Sequence, residues 1–221
     1  KPFLKQALVL TTACCIACTS AVVYFGAFEP FRARTYVDQA IDPEQEISVS
    51  VSEDNFFRID ISEDCDNYPM FWRLPCMRTF HSVVPGSIMN FYKELGITRD
   101  VASRADTAYA LRGLLSVEYY YERQTIGEIT TDEPKCSMPG FVYDTTENGF
   151  YRFRNTAYVP MGFTFSNYIA KGKWNSTSTS YRSNLLMRAL VLSSEQIEKY
   201  GSWMQPVSDS NVSMTEEEYL Q

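Results

Sequence analysis

Apolar and polar positions follow three different regimes along this chain. From Gln6 to Phe28, "QALVLTTACCIACTSAVVYFGAF", 23 residues pass without a charge. At 1.5 Å per residue that is roughly 35 Å of helix, enough to cross a hydrocarbon core of about 30 Å. Beyond the linker "EPFRARTYVDQAIDPEQ", the segment "ISVSVSEDNFFRIDIS" alternates with period two around an acidic turn, with Phe57, Ile59 and Ile61 on one face. The pattern then turns helical. Ile88, Phe91, Tyr92 and Leu95 recur at i, i+3, i+4 and i+7 and predict an inward helix face, with Gly96 placed as its stop.

Asp106 is placed to cap a second helix, in which Ala108, Leu111 and Leu115 form a stripe. The β-branched and aromatic run from Val117 predicts a strand, so "LRGLLSVEYYY" is a helix-to-strand transition. Val117, Tyr119 and Tyr121 share one face of that strand. Glu118, Tyr120 and Glu122 share the other, which leaves Tyr120 as the exposed aromatic. Asn148-Gly149 joins two strand-like runs in a hairpin, because a tight turn there needs positive φ. Tyr151 and Phe153 then face one side and Arg152 and Arg154 the other. "MGFTFSNYI" adds a strand, "GKWNSTSTS" reads as a polar tract, and a helix is expected over 181–192. Ser193 to Gln196 spell a capping box that opens a last short helix. This irregular order predicts an α+β fold, a mixed or antiparallel sheet with flanking helices, preceded by one transmembrane helix.

Three readings of the apolar run compete: a spanning helix, a signal or lipoprotein segment, and a buried core helix. Its length, and Cys15 standing where a lipoprotein signal needs a leucine-like residue before Cys18, favour the spanning helix. Lys1 and Lys5 precede it, so the positive-inside rule places the start in the cytoplasm and the main domain outside the cell membrane. The expected organisation is a membrane helix over 1–28, a linker over 29–47, an extracytoplasmic domain over 48–205 and a polar tail over 206–221. A chain that opens on Lys1 also reads as a piece of a larger membrane protein.

The formal charge of −7 removes nucleic acid from the expected partners, since phosphate recognition needs a basic stripe. Of the six cysteines, Cys65, Cys76 and Cys136 lie in the polar remainder, where at most one disulfide can form. The single histidine, His81, neighbours Ser82, and adjacent residues on an extended chain point apart, so it reads as a loop or packing histidine. Asp60, Asp64 and Asp66 in "DISEDCDN" are candidates to hold a hard cation, yet the run lacks the glycine turn and terminal glutamate of a calcium loop. A solvated acidic loop is the simpler reading. Trp72, Tyr120 and Trp174 are candidate stacking surfaces for a sugar or acceptor, against the commoner role of aromatics as core. No catalytic residue, metal or cofactor is assigned.

Five segments in order carry a resemblance. "DNFFRIDI", "RTFHSVVPGSIMNFYKELGI", "LRGLLSVEYYYER", "ENGFYRFRNTAYVPMGFTFSNYI" and "LLMRALVL" resemble, respectively, the "fyRid", "fsS…fy..lG", "llgVKY", "iYeN..aLPlgf" and alanine-rich helix patterns of the YfhO family of bacterial polytopic membrane proteins. The chain departs at Glu118, where lysine is frequent, at "FRN" for "YEN", and at Val159 before the proline. The resemblance implies a parent related to membrane glycosyltransferases that use polyprenyl-phosphate sugar donors, with some members linked to glycosylating wall polymers such as lipoteichoic acid. The expected partners are therefore the membrane and a polyprenyl-linked sugar or cell-wall polymer, with this piece itself non-catalytic. A membrane-anchored binding or structural module and an anchored hydrolase are the alternatives.

Overall fold

The computed structural model describes residues 2–26, 34–41, 47–63, 65–80, 82–97, 108–124, 133–213 and 218. The chain divides into two units, Lys1–Glu44 and Gln45–Gln221. The first holds α1 (Pro2–Gly26), whose 25 residues are long and apolar enough to cross a membrane and bury none of their side chains in protein. Its polar hydroxyls turn inward along the helix: Thr11 donates to the Ala7 carbonyl and Thr12 to that of Leu8, each at 2.9 Å. Such back-bonding satisfies a hydroxyl without water, as an apolar environment demands.

The second unit is built on two sheets. The first has strand order β1-β2-β4-β3, formed by β1 (Arg58–Ile61), β2 (Val117–Arg123), β3 (Phe141–Glu147) and β4 (Phe150–Asn155). β1 runs parallel to β2, and β2, β4 and β3 pair antiparallel, so the sheet is mixed as the sequence predicts. Between β1 and β2 lie α2 (Tyr68–Phe71), α3 (Gly86–Glu94) and α4 (Tyr109–Leu114). The hairpin turn is where the sequence puts it. Asn148 and Gly149 take φ of 49° and 76°, the paired positive angles of a type I′ turn. Ser116, at φ 58°, turns the chain from α4 into β2 and so makes the helix-to-strand transition.

The register sorts the faces. Ile59 lies opposite Tyr119 and Ile61 opposite Tyr121, and the Phe57, Ile59 and Ile61 side chains are buried. On this face Trp72, just beyond α2, packs its ring 5.4 Å from both Tyr121 and Phe150. The opposite face carries Tyr120 beside Phe153, and Phe141 and Met138 complete that cluster.

The second sheet is parallel, order β6-β5-β7, from β5 (Asn167–Ala170), β6 (Leu190–Leu192) and β7 (Gln205–Pro206). The helices α5 (Lys171–Ser176) and α6 (Thr179–Leu186) connect β5 to β6, and α7 (Ser194–Tyr200) connects β6 to β7. The step from β5 to β6 and the step from β6 to β7 cross the sheet in opposite directions, so right-handed connections place their helices on opposite faces. The α5/α6 side is the thick one, where Ile169, Trp174, Leu185 and Ala189 join Tyr92, Leu95, Ala108 and Leu111 in one core. A last turn of helix, α8 (Asp209–Val212), follows β7.

Several expectations are corrected. The helix foreseen over 181–192 ends at Leu186, and Leu190–Leu192 instead pair with β5, because sheet partners outweigh local helix propensity there. The polar tract around Trp174 is the helix α5. "ISVSVS" forms no strand; Ser52 and Asn55 exchange backbone hydrogen bonds at 3.3 Å in the acidic turn before β1. On α3, Tyr92 and Leu95 face the core, while Ile88 at the other end is 40% exposed. Gly96, at φ 73°, stops that helix as foreseen: its N–H reaches the Lys93 carbonyl and that of Ile97 reaches Tyr92, a Schellman ending. The capping box forms, with Ser193 and Gln196 exchanging bonds of 2.8 and 3.3 Å. Asp106 lies outside the described residues.

Candidate functional site

The densest polar cluster sits on the first sheet, where adjacent strands bring Tyr121, Glu147 and Arg152 together. Tyr121 pairs across with Arg152 in the β2–β4 register, and Glu147 ends β3 just before the hairpin turn. The Tyr121 hydroxyl donates to Glu147 Oε1 at 2.7 Å, and Arg152 Nη1 donates to the same oxygen at 2.9 Å. Arg152 Nε reaches Asp144 Oδ2 at 2.6 Å, and Nη1 also reaches the Ser48 hydroxyl at 2.6 Å. The Ser48 amide in turn donates to Glu147 Oε2 at 3.1 Å. The guanidinium carbon stands 5.1 Å from the centre of the Tyr119 ring. This cluster ties the segment before β1 to the hairpin.

Electrostatics keep each group in one protonation state. Burial pushes the Tyr121 phenol up, and its bond to Glu147 pushes it further, so it stays protonated. Burial works against the Glu147 carboxylate, but hydrogen bonds from Ser48 and Tyr121 and the charge of Arg152 hold it below its ordinary value. Burial likewise opposes the Arg152 charge, and its bonds to Tyr121 and Asp144 more than restore it. Glu147 is thus a fixed anion whose oxygens are occupied by donors. A general base needs a lone pair aimed at substrate and a proton affinity near neutrality.

The same pairing recurs. Asp60 accepts from Arg112 Nε at 2.9 Å with both side chains excluded from solvent, and Asp66 accepts from Arg78 Nε at 2.5 Å. Glu118 lies where β2 has an extra residue opposite the Arg58–Ile59 step, and its carboxylate lies 3.3 Å from Arg154. Of the three acids of the candidate cation loop, Asp60 is buried in the core against Arg112, Asp66 is paired with Arg78, and Asp64 lies outside the described residues. Among the described residues no three acidic, cysteine or histidine side chains converge as a metal site. His81 also lies outside the described residues, and the cysteines are thiols.

The candidate sugar-stacking aromatics are dispersed. Tyr120 is only 6% exposed, which corrects its placement on the open face: Phe141 and Phe153 cover it, with ring centres 6.1 and 6.3 Å away. Alternation told its side of the strand, but the cover comes from the distant residues 138–153. Trp174 is 5% exposed, donates its indole N–H to Glu94 Oε2 at 3.2 Å, and lies under the Arg182 guanidinium at 5.0 Å. Trp72 is half-buried against Tyr68, Tyr121 and Phe150. The open tryptophan is Trp203, 80% exposed beside Tyr200. The arginine clamps were missed because pairing across strands depends on register; the placement of Arg152 and Arg154 on one hairpin face was the available signal.

These features define an α+β module, rich in internally paired carboxylates, on a chain whose first helix is fit to span a membrane. The chain belongs to the family described as bacterial membrane protein YfhO, whose model matches residues 3–220. No curated protein and no solved structure matches it.

Proposed function

We propose that this chain supplies a membrane span and an extracytoplasmic domain of a protein that glycosylates cell-wall polymers, such as lipoteichoic acid, from polyprenyl-phosphate sugar donors. In this reading the domain holds no catalytic residue of its own and serves the active site of its parent by covering or bracing it. The observation that carries the non-catalytic role is the arginine pairing of Asp60, Asp66, Glu118, Asp144 and Glu147, which engages each of these carboxylates in an ion pair within the module rather than converging them on a substrate. It weighs against the anchored hydrolase, which needs two carboxylates converging on a substrate. The burial of Tyr120 and Trp174 weighs against an aromatic groove that would guide a polymer, so bracing is preferred to guiding. Lys1, and Lys5 in the first turn of α1, support a cytoplasmic start and a domain on the outer side.

The test is deletion of the full reading frame followed by measurement of sugar on the wall polymers. Loss of that sugar, restored by the intact gene and by a gene carrying Asp144→Asn, supports glycosyl transfer with a non-catalytic domain. Unchanged sugar after deletion would show a membrane-anchored binding or structural module instead.

A further inference from the structure

The connection from β4 to β5 is apolar where a surface loop is ordinarily polar: residues 155–170 carry no charge. Its base is fixed at both ends. The Thr156 N–H and hydroxyl donate to the Gly140 carbonyl at 2.8 and 2.9 Å, the Tyr158 hydroxyl donates to that of Phe56 at 3.0 Å, and the Gln205 N–H donates to that of Ser166 at 3.0 Å. Between these anchors the tip, residues 160–163, lies open. Met161 is 56% and Phe163 39% exposed, and a Cβ added at Gly162 would meet no atom within 4 Å. Phe165 packs edge-on against Phe163 with ring centres 5.2 Å apart, and Arg58 Nη1 donates to Met161 Sδ at 3.8 Å while its guanidinium covers the Phe56 ring at 5.0 Å.

Single exposed apolar side chains need no partner, but Met161 and Phe163 share one uncharged tip held on a braced base. The chain's own anchor says what covers them. Its first helix is long and apolar enough to cross a bilayer, and its family is one of membrane proteins. Residues 27–44 separate that helix from the second unit and reach at most about 65 Å when fully extended, so the second unit is tethered near lipid. Tethering makes the contact intramolecular, and a small apolar surface then suffices. The tip also has the chemistry of an interface: Met161 and Phe163 suit acyl chains, and Arg58 beside them supplies a cation for headgroup phosphate.

We infer that the β4–β5 loop dips its tip into the surface of the bilayer that α1 enters, with Met161 and Phe163 among the upper acyl chains and Arg58 at the level of the phosphates. The inference rests on α1 anchoring the chain in that bilayer. It is independent of the glycosylation reading.

Tryptophan emission of the whole chain in vesicles of phosphatidylcholine and phosphatidylglycerol tests it, with Phe163→Trp as the reporter and Trp203→Phe to remove the exposed native tryptophan. Retention in the vesicles through an alkaline wash checks the anchor separately, and release would overturn both the anchor and the loop assignment. In the retained chain, the emission that Phe163→Trp adds to that of Trp203→Phe alone is expected at shorter wavelength than that of an indole in water. Brominated acyl chains should quench it. Met161→Asp should reverse both effects, because a carboxylate holds the tip in water, and should leave the melting temperature unchanged at so exposed a position. Reporter emission that brominated lipid leaves intact in the retained chain overturns the loop assignment alone. A blue shift without quenching does the same, and would show that protein rather than lipid covers the tip.

Discussion

Arg112 and Asp60 form an ion pair from which solvent is wholly excluded, Nε to Oδ2 at 2.9 Å, joining α4 to β1 across the sheet. It links two of the sequence segments that carry the family likeness, "DNFFRIDI" and "LRGLLSVEYYYER". Removing one partner strands a charge in the core. Asp60→Ala should therefore cost about 3–5 kcal/mol, whereas Asp60→Leu combined with Arg112→Met should cost far less, since the pair's own desolvation penalty disappears with it. Urea unfolding of the two variants beside the parent chain distinguishes these outcomes.

Glu147 predicts an acid limb in the stability profile. Its folded carboxyl titrates below the ordinary value of 4.5 that holds in the unfolded chain, so the unfolded state binds the proton more readily. The stabilisation is complete above that ordinary value and is lost as pH falls through the lower, folded one. Glu147→Gln should flatten this part of the curve, measured as melting temperature against pH.

Gly113 lies against the loop after β4, where an added Cβ would sit 2.4 Å from the Ala157 carbonyl oxygen. Gly113→Ala should destabilise by about 1–3 kcal/mol through that overlap. The helical Gly172 has open space around it, and Gly172→Ala should instead stabilise by roughly 0.5–1 kcal/mol by restricting the unfolded chain. Thermal unfolding of both variants checks the contrast in sign.

The hairpin turn is equally specific. Gly149→Val forces a β-branched residue to φ 76° and should cost roughly 1–2 kcal/mol or more, while Asn148→Gly keeps the turn geometry and should change stability little. Circular-dichroism melting of each variant reads the difference.

Local physics made much of this legible. The helix α1, the Asn148-Gly149 turn, the Gly96 stop, the Ser193 capping box and the alternation of Phe57, Ile59 and Ile61 all follow from conformational preference or periodicity within a few residues. Such signals need no distant partner, so they survive in the bare sequence. The helix-to-strand change at Ser116 was readable for the same reason.

What the tertiary structure decided is which polar groups meet and which aromatics are covered. Asp60 reads as part of a solvated acidic run until α4, 52 positions away, places Arg112 against it. Tyr120 reads as exposed until Phe141 and Phe153 close over it. Leu190 to Leu192 continue a helical pattern until β5 offers them a strand partner. In each case the deciding energy is a desolvated contact between segments far apart in sequence. Its sign depends on register and packing, which exist only once the chain has folded.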